Sequence, residues 1–442
     1  MPEVLPQNIL ARISPKMIDR FQCPVVLGPG RGRAAPVPYT FARADASTCA
    51  TSIDRDGLVR LAPANKLRIE WVDLDGDGIR ETPGFLLEGS RTNLCLRSEE
   101  FDNATWLGAS AAVTANSDIA PDGTLTADTL TDDDAGAFES KAQVWTVAND
   151  SLPHVFGIFV KKTTAATNTF GLNIALTGGT SVSQFPRLNT NSGVVSAGSD
   201  ARTISVGDYW LLVCKITNNT TGNTGLTITV FPATGTNSGS NPGTDSVTAT
   251  GSAVVWGAQL EKAAFLSSYI KTTSAAVTRA ADSLSVPINF GPVDGTVFAR
   301  VARPMWADAT GDIGLAPGVF ALGGEVGSVP HVRGGAIAAT RHWFAFIDTA
   351  GTDAQSANQS VVAGASLSMV WQFKNLTTGG QISLDGGSGP SAFSAAATAF
   401  PAFVSQTLRV GRIASGSEFF GVILDLFKTR GLFTAAEATA VS

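Results

Sequence analysis

Short stretches in which apolar and polar residues alternate with a period of two recur along this chain, and long helical periodicity is scarce. DYWLLVCKIT (208–217) and GLTITVFPA (225–233) are typical, since Leu226, Ile228 and Val230 share one side of the second stretch and threonines stand between them. Asp-Gly and other turn-forming residues separate the stretches, as expected where short strands are joined by tight turns. The pattern predicts an all-β protein.

Composition narrows the possible functions and locations. A chain of 442 residues exceeds one ordinary domain. The net charge of −6 and the isoelectric point near 5.2 argue against nucleic-acid binding, which requires a cationic surface. The sequence has no apolar stretch of about 18 residues and no signal-peptide core, so we expect neither membrane insertion nor classical secretion. Four cysteines without metal-ligand spacing fit folding in a reducing cytoplasm.

Changes in composition along the chain mark boundaries between segments. We predict an N-terminal arm (1–36), a β-hairpin-rich connecting region (37–97), a first β domain (98–270), a linker (271–285) and a second β domain (286–442). The arm is rich in proline and has no core of its own, so we expect it to gain order by binding a partner.

Several phrases carry a resemblance to known families. FARA, DRDGLVRLAPAN, GFLLEGSRTNL and SEEFDNATW follow one another as they do in bacteriophage and prophage tail or fibre proteins, which this region resembles. APDGTLTADTL, IFVKK and WGAQLE resemble jelly-roll carbohydrate-binding modules. An LDGG turn followed by LRVGR and FFGVILDLFKTRG resembles concanavalin-like and laminin-G-like domains. The resemblance implies two tandem antiparallel β-sandwiches, a jelly roll and then a concanavalin-like sandwich.

The same resemblance implies a function on a virus particle. A fibre or spike protein of the tail or head would be made in the host bacterial cytoplasm and would bind host surface polysaccharide for attachment. Its N-terminal region would contact other virion proteins, and a homo-oligomer is expected, with a trimer favoured. Two alternatives stay open: a purely structural virion component of the head decoration, neck or baseplate, and a polysaccharide depolymerase.

Catalytic motifs are missing from the sequence. The three histidines, His154, His331 and His342, stand outside the sequence contexts of known catalytic or metal sites. Glycoside hydrolysis requires only two carboxylates, and their pairing in space is not readable from a sequence. On these grounds we expect no catalytic residue and a protein that is not an enzyme.

Tryptophans are the natural candidates for glycan contacts, because sugar rings stack on flat aromatic surfaces. Trp145, Trp306 and Trp343 stand near polar residues or a loop, and we predict that they contact glycan. Trp210 and Trp256 fall in apolar strand patterns, which predict core positions.

One segment resembles the first half of a calcium loop. Asp73, Asp75 and Asp77 stand at alternate positions and are followed by Gly78, which suits a hard cation with oxygen ligands. The twelfth position is Gly84 instead of the glutamate that completes such a loop, so a simple Asp-Gly hairpin turn is the alternative. Calcium is the one possible cofactor that the sequence indicates.

Overall fold

The computed structural model describes residues 25–27, 40–44, 49–73, 80–108, 110–164, 169–235, 241 and 247–288, and beyond them the strands whose bounds follow. The strands in the first 150 residues are β1 Val25–Leu27, β2 Thr40–Ala42, β3 Ala50–Ile53, β4 Val59–Ala62, β5 Arg68–Val72, β6 Thr82–Leu87, β7 Arg91–Asn93, β8 Ala112–Ile119, β9 Leu125–Asp132 and β10 Lys141–Thr146. The next strands are β11 Pro153–Lys161, β12 Thr169–Thr177, β13 Val182–Gln184, β14 Arg187–Asn189, β15 Val195–Ser196, β16 Ala201–Val206, β17 Tyr209–Thr217, β18 Gly225–Phe231, β19 Gly251–Glu261 and β20 Val277–Arg279. The last are β21 Ser283–Ile288, β22 Gly295–Ala302, β23 Gly318–Leu322, β24 His331–Ile337, β25 His342–Asp348, β26 Ala354–Gln355, β27 Gln359–Ser360, β28 Ser366–Leu376, β29 Gly379–Asp385, β30 Ser394–Ala395, β31 Gln406–Val410 and β32 Gly421–Arg430.

The predicted all-β class is confirmed, since the described residues form strands in antiparallel sheets and contain no helix. Accordingly, no helix among them is long and apolar enough to span a membrane. The chain divides into two compact units that are discontinuous in sequence. Unit 1 comprises Met1–Ala46, Ala62–Ser90 and Ala280–Ser442, and unit 2 comprises Ser47–Leu61 and Arg91–Arg279.

Two six-stranded sheets enclose the core of unit 2. One, which we call the open sheet, has the order β10-β18-β12-β14-β15, with β13 also paired to β12. The other, the covered sheet, has the order β16-β17-β11-β19-β9-β8. Their facing side chains alternate along each strand and are fully buried, among them Ile158, Leu172, Leu212 and Ile228. Each such aliphatic side chain contributes roughly 1.5–3 kcal/mol on burial, so this core is the main stabilising feature of the unit.

The alternation read from the sequence correctly predicts which residues form this core. Leu212, Cys214 and Ile216 of β17 are buried on one side, and Trp210 packs against the same core while remaining half-buried. Trp256, predicted to be a core residue, is 1% exposed.

The covered sheet is buried on its outer face as well. The rings of Phe159 and Trp256 lie on that face with Tyr269, whose ring centroid is 4.6 Å from that of Trp256. Leu266 fills the space above Gly157, where an added Cβ would come within 2.5 Å of its Cδ2. The segment that follows β19 therefore folds back over this face and gives the sheet two dry sides.

Unit 1 contains two eight-stranded antiparallel sheets. One has the order β30-β29-β28-β22-β32-β6-β5, with β1 also paired to β32. The other has the order β2-β21-β31-β23-β24-β25-β26, with β27 also paired to β25. Strands from the predicted arm and from the predicted connecting region thus complete sheets whose other strands lie after residue 282.

The interior of unit 1 contains a network of ion pairs. Arg68 donates from Nη1 to Oε2 of Glu88 at 2.7 Å and from Nη2 to Asp282, while Arg43 lies 3.3 Å from the other oxygen of Asp282. All four side chains are fully buried. Burial alone would lower the pKa of Arg68, but the carboxylates of Asp282 and Glu88 outweigh it and raise that pKa. The network therefore holds β2, β5 and β6 to the segment that leads into β21.

Candidate functional site

The outer face of the open sheet carries a flat array of small side chains. In β18, Thr227 and Thr229 point away from the buried Leu226, Ile228 and Val230. Register extends this array across the neighbouring strands in two rows. One row is Ala142, Thr229 and Asn173, and the other is Val144, Thr227, Ala175 and Ser183.

The exposed fractions of these side chains agree with an open surface. Val144 is 60% exposed, and Thr227, Thr229 and Asn173 are partly exposed. No side chain of the two rows is charged. The face thus presents hydroxyl, amide and methyl groups in a regular array, the chemistry that suits an uncharged polyhydroxylated ligand.

Asn173 has an unused acceptor in the middle of this face. Its Oδ1 receives no hydrogen bond from any described residue, although the atom is shielded from bulk solvent. Its strand neighbour across the ladder is Thr229 of β18. A ligand hydroxyl placed against Asn173 would supply the missing donor.

Trp145 lies on the opposite side of the same sheet. It pairs with Leu226 in register, packs against the core and donates from Nε1 to the carbonyl of Leu94 at 3.0 Å. Its indole is half-buried, and its hydrogen-bonding group is already engaged. Trp145 therefore packs with the core of unit 2 and does not belong to the open face of the sheet.

The structure describes the other predicted site residues only in part. Trp306, Asp75 and Asp77 lie outside the described residues, and Trp343 is described only as a position in β25, where it pairs with Ala336. Asp73 follows β5 and is partly exposed. The glycan role of the three tryptophans and the calcium role of the three aspartates stay predictions.

A small polar cavity lies at one end of unit 2. Its volume is about 40 Å³, which suits ordered water rather than a sugar ring. Thr163, Thr169 and Thr190 line it together with Thr234, whose Oγ1 has no hydrogen-bond partner among the described residues. A water molecule that bonds to Thr234 is the simplest occupant.

Buried carboxylates of unit 2 are engaged in structural contacts. Glu261 accepts hydrogen bonds from Ser267 and Gln259, and Glu99 accepts them from Tyr269 at 2.9 Å and Lys271 at 2.6 Å. Burial raises the pKa of Glu99 despite the opposing effect of Lys271. These contacts hold the segment after β19 in place.

The residues of the open face were missed as site candidates, although a signal for them existed. The alternation in GLTITVF indicates that Thr227 and Thr229 lie on the wet side of a strand, and TFGLNIALT places Asn173 in the same way. The prediction of glycan contacts considered only aromatic side chains and therefore did not include Thr227, Thr229 and Asn173.

No protein-family model and no curated protein matches the chain. Solved structures similar to it include domain 4 of AbnA, a GH43 extracellular arabinanase from Geobacillus stearothermophilus, in complex with arabinotriose (9% identity, TM-score 0.26, covering 36% of this chain and 72% of that one). An arabinofuranosidase complexed with arabinofuranosyl-α-1,2-xylobiose is 12% identical, with a TM-score of 0.24, and 64% of this chain spans 58% of its length. The LG1–3 region of the laminin α2 chain is 9% identical, with a TM-score of 0.23, and 67% of this chain covers 66% of it.

These similarities correct one expectation. Glycoside hydrolases are among the similar structures, so the exclusion of an enzyme from the lack of catalytic motifs is wrong and is withdrawn. TM-scores below 0.3 carry no argument for a particular activity. The chain is thus similar at low level to carbohydrate-active and laminin-G proteins, and its all-β fold is established by its own sheets.

Proposed function

We propose that unit 2 binds an uncharged host surface glycan on the outer face of its open sheet, as part of a phage virion. One observation carries the proposal: this face is open and lined by Thr227, Thr229 and Asn173, while the outer face of the covered sheet is buried under the segment after β19. Among the described residues of unit 2, the outer face of the open sheet is therefore the broad sheet surface that remains accessible to an extended ligand.

The chemistry of the face favours a neutral polysaccharide. Hydroxyl and amide groups match the hydroxyls of sugars, and the methyl groups of Thr227, Ala175 and Val144 suit the apolar faces of sugar rings. Without a charged group in the rows, the surface has no feature that selects an acidic polymer. Contacts of this kind are weak one by one, and display of many copies on one particle would multiply them.

The virion setting rests on the resemblance of residues 37–97 to phage tail and fibre proteins. An N-terminal attachment to other virion proteins and a trimeric assembly belong to the same proposal. The competing function is a purely structural virion component, for which the same sheets would serve equally well.

An array of bacterial capsular and O-antigen polysaccharides, probed with the full chain, tests glycan binding. We expect binding to neutral polymers that falls about 3- to 10-fold in Thr227→Ala or Asn173→Ala, because each loses one hydrogen bond. Thr229→Arg should remove binding by obstructing the face. Thr248→Ala, at an exposed threonine away from this sheet, is the matched control and should bind normally.

The same array separates the open face from the predicted tryptophans. Binding that survives Thr229→Arg and is lost in Trp306→Ala or Trp343→Ala would place the site outside unit 2 and contradict the proposal. Trp145→Ala is a weaker test, since loss of its bond to Leu94 also disturbs the sheet. Failure to bind any polymer, together with unchanged phage adsorption after deletion of the protein, would favour the structural function.

A further inference from the structure

Two buried carboxylates lie at the ends of the loop that leads from β9 in the covered sheet to β10 in the open sheet. Asp132 is 1% exposed and Glu139 is 6% exposed. The backbone N–H of Glu139 donates to Oδ2 of Asp132 at 3.1 Å, and the backbone N–H of Asp133 donates to Oε2 of Glu139 at 3.0 Å. Each carboxylate therefore lies within one tight loop, close to the other.

In the part of the chain that the structure describes, neither carboxylate has a cationic partner. Within the described residues no lysine, arginine or histidine forms an ion pair with Asp132 or Glu139. Moreover, Oδ1 of Asp132 is buried and receives no hydrogen bond from a described residue. A buried carboxylate oxygen without a donor or a counter-charge is unfavourable, because it has lost its water and gained nothing in exchange.

The charges around Asp132 also favour a bound cation. The negatively charged side chains of Glu139 and Asp134 lie close enough to the carboxylate of Asp132 to repel it. A cation bound by the loop would neutralise this repulsion and would satisfy the free oxygen.

We propose that the loop between β9 and β10 binds a calcium ion through Asp132 and Glu139. Oxygen ligands of this kind suit a hard cation, and calcium accepts backbone carbonyls and water for the rest of its six to eight ligands. Such completion is needed here, because among the described residues no group of three or more acidic, histidine or cysteine side chains is placed to hold a metal. The site is distinct from the segment at Asp73 and from the open face proposed for glycan.

Calorimetric titration of the chelator-treated full chain with calcium chloride tests the site. We expect one ion bound by this loop, and a rise in the melting temperature of about 5–10 °C when calcium is about 100-fold above its dissociation constant. Asp132→Asn and Glu139→Gln should each lower the affinity at least about tenfold and should remove most of the shift.

Two controls make the result specific. Asp73→Asn removes a predicted ligand of the other calcium segment, and Asp150→Asn removes a partly exposed carboxylate that pairs with Lys262; both variants should keep the ion in the β9–β10 loop. Calcium binding that is unchanged in Asp132→Asn and Glu139→Gln would overturn the proposal. So would the absence of binding to the wild-type chain at millimolar calcium.

Discussion

Some of the residues that make this sequence recognisable are joined by a buried network of charges. Arg43 belongs to the phrase FARA and Glu88 to GFLLEGSRTNL, two of the phrases on which the resemblance to phage proteins rests. In the structure Arg43 and Arg68 are fully buried and bond to Asp282 or Glu88. Arg43 and Glu88 therefore have a structural role inside unit 1 that is independent of any ligand.

Arg68→Met should strongly destabilise unit 1. The substitution keeps much of the side-chain volume and leaves the carboxylates of Glu88 and Asp282 without their shared partner, which typically costs about 3–5 kcal/mol. Urea unfolding measures the loss. Arg60→Met is the control, because the ion pair of Arg60 with Asp54 is half exposed and contributes at most about 1 kcal/mol. Equal effects of the two substitutions would contradict this account.

His154 should make the stability of unit 2 depend on pH. Burial lowers its pKa, Lys262 lowers it further and Asp150 acts in the opposite direction. Below about pH 6.5 the unfolded chain binds a proton that the folded chain does not, so stability falls as the pH falls towards the lowered pKa. The loss is at most about 1.4 kcal/mol per pH unit.

Thermal melts of the wild type and of His154→Gln between pH 7.5 and 5 measure this effect. Carboxylates titrate in both proteins, so the difference in slope isolates the histidine. A slope that is the same in both would show that His154 does not contribute.

At the scale of single elements, the sequence predicted the strands and their buried sides better than it predicted which distant residues pack against them. Alternation correctly placed Leu226, Ile228 and Val230 inside, because a period of two is a local property of a strand. The position of Trp145 was not predictable in this way. Its indole is held by the carbonyl of Leu94, a contact between residues far apart in sequence.

The turn between β14 and β15 has little tolerance for a larger residue. Gly193 has a φ of +74° and lies on the ring of Trp210, so that an added Cβ would come within 2.6 Å of Cη2. We expect Gly193→Ala to destabilise unit 2 by about 2–4 kcal/mol, from backbone strain and from overpacking together.

Gly123→Ala is the matched control for this turn. Gly123 also has a positive φ, +86°, but an added Cβ would meet no atom within 4 Å. Gly123→Ala should lower the free energy of unfolding only by the cost of backbone strain, about 1–2 kcal/mol. Chemical unfolding of both variants gives the comparison, and an equal loss would mean that the ring of Trp210 moves aside freely.

At the scale of the whole molecule, the segment boundaries predicted from the sequence differ from the bounds of the two compact units. Residues 37–97 were expected to form one connecting region, yet β2, β5 and β6 belong to unit 1, and β3, β7 and nearly all of β4 belong to unit 2. Changes in composition mark where the chain turns. They carry no information on which distant strand completes a sheet, and β6 pairs with β32 near the other end of the chain.

A protein trimmed to residues 91–279 should be more stable than one trimmed to 98–270. The shorter one lacks Asn93, whose side chain bonds to the carbonyls of Ala258 and Ile270 and to the backbone N–H of Leu260. It also lacks the pairing of β7 with β20. At about 1 kcal/mol for each lost hydrogen bond, the difference should exceed about 3 kcal/mol.

Denaturant unfolding of the two fragments checks this prediction. Asn93→Ala in the longer fragment isolates the contribution of the amide and should account for a large part of the difference. Equal midpoints for both fragments would show that residues 98–270 fold independently of their flanks.

The pairing of β32 has a consequence for how the protein is made. This strand, Gly421–Arg430, lies between β22 and β6 and also pairs with β1, so its sheet lacks a central member until residues 421–430 have been synthesised. Unit 2 is complete in sequence by residue 279 and can close while synthesis continues. A chain released before β32 is made would thus keep unit 2 and leave β1 and β6 without their pairing to that strand. Such a chain would expose unpaired strand edges, which favour aggregation and proteolysis.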